Sequence, residues 1–179
     1  MSTPASRSRT EILDWLSSLG AGQHTHHGRP LLEHLLGTEK VLQSWRARPA
    51  LATAGLCHAI YGTDGLAQPL LPLTDRHLAQ QVLGDDAERI IYRYASCDRT
   101  HLHAQLPSVG PLQLRDRFTG AIETPAAEHV EDFMELTWAN AVDGSGVFDE
   151  DLAGPVLALF AATASWVSDA AKDSALGFS

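Results

Sequence analysis

Residues 50–60, ALATAGLCHAI, are apolar on nearly every side when wound as a helix, so the segment has no face to offer to water. A helix of that kind has to be enclosed by other elements and belongs in the middle of a domain. Pro49 restarts the chain just before it, and Tyr61-Gly62-Thr63 stops it just after His58.

The surrounding segments read as helices. Ile12, Leu13, Trp15, Leu16 and Leu19 recur at helical spacing over 10–19, with Thr10 as the N-cap and Gly20 and Gly22 as the stop. Pro30 opens a helix to about 46, with Leu31, Leu32, Leu35, Leu36, Val41, Leu42 and Trp45 on its apolar face and His34 beside that stripe. Thr74 or Asp75 caps a helix through Leu83; Gly84 breaks it, and DDAERIIYRYASC begins another with its acids in the first turn. Pro125 opens a strong helix to about 142, and an alanine-rich helix covers about 151–172. Residues 98–124 are the least legible, containing either a short strand or ordered loop. The expectation is an all-α, compact domain of about seven helices spanning 1–179, with the first nine residues flexible.

A length of 179 residues with 44% hydrophobic and 20% charged residues is ordinary for a soluble domain with one core. The net charge of −9 is the wrong sign for neutralising phosphate backbones or anionic lipid, so neither nucleic acid nor a membrane is expected as a partner. The start, MSTPASRSRT, has no apolar stretch of a signal peptide, which points to the cytoplasm. Asp64-Gly65 and Gly144-Ser145-Gly146 read as turns. Cys57 and Cys97 lack CxxC spacing and read as small buried hydrophobes. No HExxH, GxSxG or GxxxxGK[ST] motif is present. The unusual count is nine histidines.

His34 and His58 each project from a mostly apolar helix. Burying imidazole requires a hydrogen-bond partner, so two such residues are either separately satisfied core histidines or a pair converging on one pocket. A histidine in a helix, followed about two dozen residues later by an alanine-rich helix ending in a second histidine, resembles the HD superfamily of helical metal-dependent phosphohydrolases. The pattern there is H, then A-x-L-L-H-D, then a distant D; Ala54, Leu56 and His58 match it, while Cys57 replaces a leucine and Ala59 the aspartate. TDRHLAQQVLGDDAERIIY, residues 74–92, is similar in layout to the hydrolase domains that degrade guanosine tetraphosphate and pentaphosphate. A tighter resemblance is to an HD-like family without an assigned activity. Its motifs H-x-G-R-x-L-L-x-H-L-x-G-T, A-G-L-x-H-x-x-Y-G-T and G-x-x-A-E meet HHGRPLLEHLLGT, AGLCHAIYGT and GDDAE here.

The resemblance implies a site built on His34 and His58. Loss of the aspartate at Ala59 removes an anionic oxygen that can bridge two ions, which leaves room for one divalent ion (iron, zinc or manganese) or none. The third position, in place of the distant aspartate, falls to Asn140 or Asp143 by place in the chain, Asp143 as the metal ligand and Asn140 as a weak ligand but a good orienting group. His27 and Arg29 on the preceding loop, and Tyr61 and Thr63 after His58, are the further candidates. His27 and Tyr61 are placed in catalysis, and Arg29, Thr38, Thr63, Arg99 and Asn140 in substrate binding. Three functions remain open. One is a mononuclear hydrolase of a phosphoester or related bond; the second is an iron oxygenase or a metal-free cyclase, isomerase or lyase; the third is a non-catalytic ligand-binding domain. The expected partner is a small-molecule substrate, and the apolar last helix offers a surface for a homodimer.

Overall fold

Ser8, two residues ahead of the expected cap, starts the first helix. Its side chain accepts from the Glu11 N–H while Glu11 reaches back to the Ser8 N–H at 2.9 Å, a reciprocal box that Thr10 cannot make. The structure is a computed structural model and describes residues 7–26, 28–64, 68–108, 110–144 and 150–175. Of the sequence expectations, His27, Gly65, Ser145, Gly146 and most of the flexible leader lie outside those residues.

Helix α1 (Arg9–Ser18) is followed by a hairpin of β1 (Thr25–His26) and β2 (Arg29–Pro30), which feeds α2 (Leu31–Ser44). Then come α3 (Pro49–Cys57), α4 (Arg76–Leu83), α5 (Asp85–Ser96) and the short α6 (Arg99–His103). A second two-residue hairpin, β3 (Leu114–Arg115) with β4 (Ile122–Glu123), precedes α7 (Ala127–Gly144), α8 (Glu150–Thr163) and α9 (Asp169–Ala175). The domain is mostly helical, as expected. The stretch over 98–124 contains both α6 and the β3–β4 hairpin.

Helix α3 is the central element, with Leu51, Ala54, Gly55, Leu56 and Cys57 all buried, and α2, α5 and α7 pack around it. Gly55 permits a close approach to α2, because a Cβ there would stand 2.5 Å from Leu42 Cδ1. The helix ends at Cys57, and His58 is its C-cap rather than an interior residue.

The single helix expected over 151–172 is two. After Thr163 the chain makes a tight turn over Ala164–Trp166, becomes extended at Val167, and restarts at Asp169. The reason is Glu135 on α7, whose carboxylate accepts from the Ser168 N–H at 2.9 Å and the Ser168 hydroxyl at 2.6 Å. The Ser168 Oγ in turn accepts from the Ala171 N–H at 3.2 Å, so a clamped serine begins α9. Upstream, Phe160 stacks on Trp138 at 4.3 Å, and the Trp138 indole N–H donates to Thr163 at 2.8 Å. Among the described residues no helix is long and apolar enough to cross a membrane.

Candidate functional site

His34 and His58 meet. Their ring centroids are 5.1 Å apart, edge to face, and both residues line one cavity of about 420 Å3. Helix α2 supplies His34 and the end of α3 supplies His58, so the close α2–α3 packing at Gly55 brings them together. The wall is completed by His26, Thr63, Asp64, Tyr94, Arg99, His103, Thr137 and Asn140, with an apolar part from Ala59, Ala141, Val156 and Leu159. Its volume lies within the range of small-molecule pockets.

His34 is held at both ring nitrogens. Nδ1 lies 2.6 Å from Asp143 Oδ2, and Nε2 lies 2.9 Å from the Asn140 side-chain amide. Asn140 and Asp143 are three residues apart, so one face of α7 carries both. The Arg29 guanidinium, arriving from β2, forms an ion pair with Asp143 Oδ2 and donates to the Asp143 carbonyl at 3.2 Å. Asp143 is therefore the shared acceptor, and the His34 Nδ1–H donates to it. With the Asn140 amide oxygen toward the ring, His34 is an imidazolium donating from both nitrogens; with the amide turned, Asn140 donates to Nε2 of a neutral ring. In either state both nitrogens are engaged. Burial opposes the charge of Asp143, but the His34 hydrogen bond and the charges of His34 and Arg29 hold its carboxyl below the usual range.

His58 is different. Its Nδ1–H donates to the Gly55 carbonyl at 2.8 Å, which makes Nε2 the lone-pair nitrogen. Burial, reinforced by His34, pushes its pKa down to about 3, so the ring is neutral at physiological pH. Tyr94 on α5 stands with its ring 5.5 Å from His58, and burial raises its phenol above the ordinary value.

Thr63, Arg99 and Asn140 thus line the cavity with His34 and His58, whereas Arg29 and Asp143 act from behind His34. Two candidates are elsewhere. Tyr61 is buried and donates its hydroxyl to Glu88 at 2.9 Å, because the turn after His58 carries it toward α5 and not to the pocket. Thr38 is fully buried one turn beyond His34 and donates to the His34 carbonyl at 3.0 Å, an internal bond of α2. Tyr94, Asp64 and His103 are site residues that the sequence reading missed. Tyr94 falls on the same stripe as Ile90 and Ile91 and reads as core, while Asp64 reads as part of a turn.

The donors do not fit a resident divalent ion. Neither nitrogen of His34 is spare, Asp143 is neutralised by Arg29 on the far side of that ring, and Ala59 brings only a methyl group. Among the described residues no group of three or more His, Cys, Asp or Glu side chains is placed to hold a metal.

Gly37 sets the position of Asp143. A Cβ at residue 37 would stand 1.7 Å from Asp143 Oδ1, within the volume that the carboxylate fills. Gly37→Ala is expected to expel the carboxylate and to cost about 1–3 kcal/mol by overpacking. Urea unfolding gives the cost, and the imidazole nitrogen shifts of His34 in NMR report the lost Asp143 partner. An unchanged His34 spectrum would contradict this geometry.

A family model described as a domain of unknown function (DUF6817) matches residues 15–99. The matched region includes His34, His58, Tyr94 and Arg99 and stops short of the α7 residues Asn140 and Asp143. No curated protein and no solved structure matches the chain.

Proposed function

We propose that this protein is a small-molecule enzyme of HD-like helical fold that moves protons with its own side chains, with His58 as acceptor and Tyr94 as donor. The observation that carries this reading is His58 with its Nδ1–H committed to the Gly55 carbonyl and Nε2 left as the lone-pair nitrogen, in a cavity wall with the Tyr94 ring 5.5 Å away.

A base with a pKa near 3 does not take a proton alone at neutral pH. Burial of His58 and Tyr94 also penalises an isolated charge on either ring. Both limits are met when His58 receives a proton from one substrate atom while Tyr94 delivers one to another, because the net charge inside the cavity then stays constant. Asn140, fixed against His34, and Thr63 orient the substrate. Chemistry of this type comprises isomerisation, cyclisation and elimination, each of which redistributes protons without an added nucleophile or oxidant. The His34 and His58 motifs and the helical fold support the HD-like assignment, and the full engagement of His34 argues for the metal-free branch over a mononuclear hydrolase.

The test uses protein prepared without an affinity tag and dialysed against a chelator. It is incubated in deuterated water with panels of enolisable acids and ketones and of phosphoesters. Deuterium incorporation or rearrangement that survives chelation is expected, with a loss of about 10²–10⁴-fold in both His58→Ala and Tyr94→Phe. Phosphoester hydrolysis that returns only on adding iron, zinc or manganese would replace this reading with the hydrolase. Ligand binding without turnover of any compound would replace it with a binding domain.

A further inference from the structure

Arg99 is a half-buried guanidinium at the cavity wall. Its Cζ lies 4.4 Å over the Tyr94 ring and 4.7 Å from the Phe133 ring centre, and one terminal nitrogen donates to the Tyr94 carbonyl at 3.3 Å. Most arginines of the chain have a carboxylate partner: Arg9 has Glu39, Arg29 has Asp143, Arg76 has Glu88 and Arg93 has Glu123. Among the described residues the Arg99 side chain forms no such ion pair, although it stands in the same wall as Asp64. The Asp64 carboxylate instead accepts from the Arg99 main-chain N–H at 2.9 Å. Aromatic faces strip water from a guanidinium without supplying an acceptor, so the exposed edge of the fork retains donors for a planar anion.

We infer that the cavity takes a small organic monocarboxylate, its acid group paired with Arg99 and its body against Val156 and Leu159. This rests on the cavity being the active site and adds the substrate class. The charge balance selects the monoanion. His58 is neutral, burial and Arg99 push His103 toward the neutral form, and the Arg29–Asp143 pair cancels itself behind His34. Arg99 is the one lysine or arginine in the described wall and Asp64 its one carboxylate. A phosphate chain bearing several charges would meet Asp64 with one fixed cation to compensate, whereas a carboxylate matches the fork in shape and charge. A hydroxyl or amine on the substrate can then donate to His58 Nε2.

The probes are benzoate, its neutral amide benzamide, and the dianion phenyl phosphate, each titrated into the full chain and followed by NMR. Benzoate is expected to move the Tyr94 and Arg99 signals and saturate in the millimolar range. Benzamide and phenyl phosphate should each bind at least about tenfold more weakly. Arg99→Gln should weaken benzoate about tenfold or more and leave benzamide unchanged, while Arg99→Lys should retain part of the preference. If Arg99→Gln fails to fold, the benzoate–benzamide comparison on the native chain still decides. Equal binding of benzoate and benzamide, tighter binding of phenyl phosphate, or shifts confined to residues outside this cavity wall would each overturn the inference. The native chain separates the two proposals: benzoate preferred over benzamide, with no deuterium incorporation or rearrangement in any panel compound, counts for the carboxylate site and against the proton-transfer chemistry.

Discussion

Glu88→Ala is expected to cost about 3 kcal/mol of stability, near the lower end of the ~3–5 kcal/mol seen when one member of a buried ion pair is removed. Glu88 is fully buried, and both of its oxygens are occupied. Oε1 accepts from the Tyr61 hydroxyl at 2.9 Å and from Arg76 Nε at 2.7 Å, while Oε2 accepts from Arg76 Nη2 at 2.9 Å. Truncation strands a buried phenol and a guanidinium at once. Arg76 is 32% exposed and lies 3.6 Å over the Tyr92 ring, so it recovers some water, and this places the cost toward the lower end. Tyr61 recovers none; burial and the neighbouring carboxylate already push its phenol well above the ordinary range. Urea unfolding of Glu88→Ala, Tyr61→Phe and the double variant measures the effect. The double variant should be less damaged than the two single losses added together, because the residues share one network. A Glu88→Ala protein within about 1 kcal/mol of the native chain would mean that the network contributes nothing net, contrary to the usual cost of an uncompensated buried polar group.

That network explains motif residues whose role is opaque in the sequence. Tyr61 follows His58 by three positions and looks like a pocket tyrosine, yet it spans the core to Glu88, the glutamate of GDDAE. Gly37 and Gly55 lie inside continuous helices, and nothing along those segments says why a glycine stands there. One vacates the space for the Asp143 carboxylate, and the other lets α3 approach Leu42 of α2. Short motif residues here record close approaches between segments, and periodicity along a single segment does not reveal its partner.

The helices themselves were legible because most carry a one-sided apolar stripe, and α3 was legible as central because it has no polar side. The break between α8 and α9 was not, since it depends on Glu135 reaching Ser168 from 33 residues away. In the site, the His34–His58 pair was readable from burial logic, and Asn140 and Asp143 from their place in the chain. Tyr94 was hidden by core spacing. The Arg29–Asp143 contact joins residues 114 apart and leaves no local trace.

Acidification is expected to expose His58. Its pKa falls from an ordinary 6.5 to about 3 in the folded chain, chiefly through burial, with His34 and His26 adding to the depression and the Gly55 carbonyl and Asp143 opposing it. Between those values the unfolded chain binds a proton that the native chain refuses, so stability falls as pH falls. The contribution is fully present above about pH 6.5 and is lost at a slope approaching 1.4 kcal/mol per pH unit until the folded pKa is reached. From pH 7 to pH 5 this one residue should cost about 2 kcal/mol. Urea unfolding of the native chain and of His58→Asn at pH 7, 6 and 5 isolates the effect, because the carboxylates titrate alike in both. The native chain should lose about 2 kcal/mol more than the variant over that span; parallel curves would show that His58 is not held neutral by burial. The consequence for chemistry follows from the same cause. A ring that resists protonation down to acid pH keeps its Nε2 lone pair available throughout the physiological range, so the pH profile of any turnover should carry no limb from His58 between pH 5 and 8.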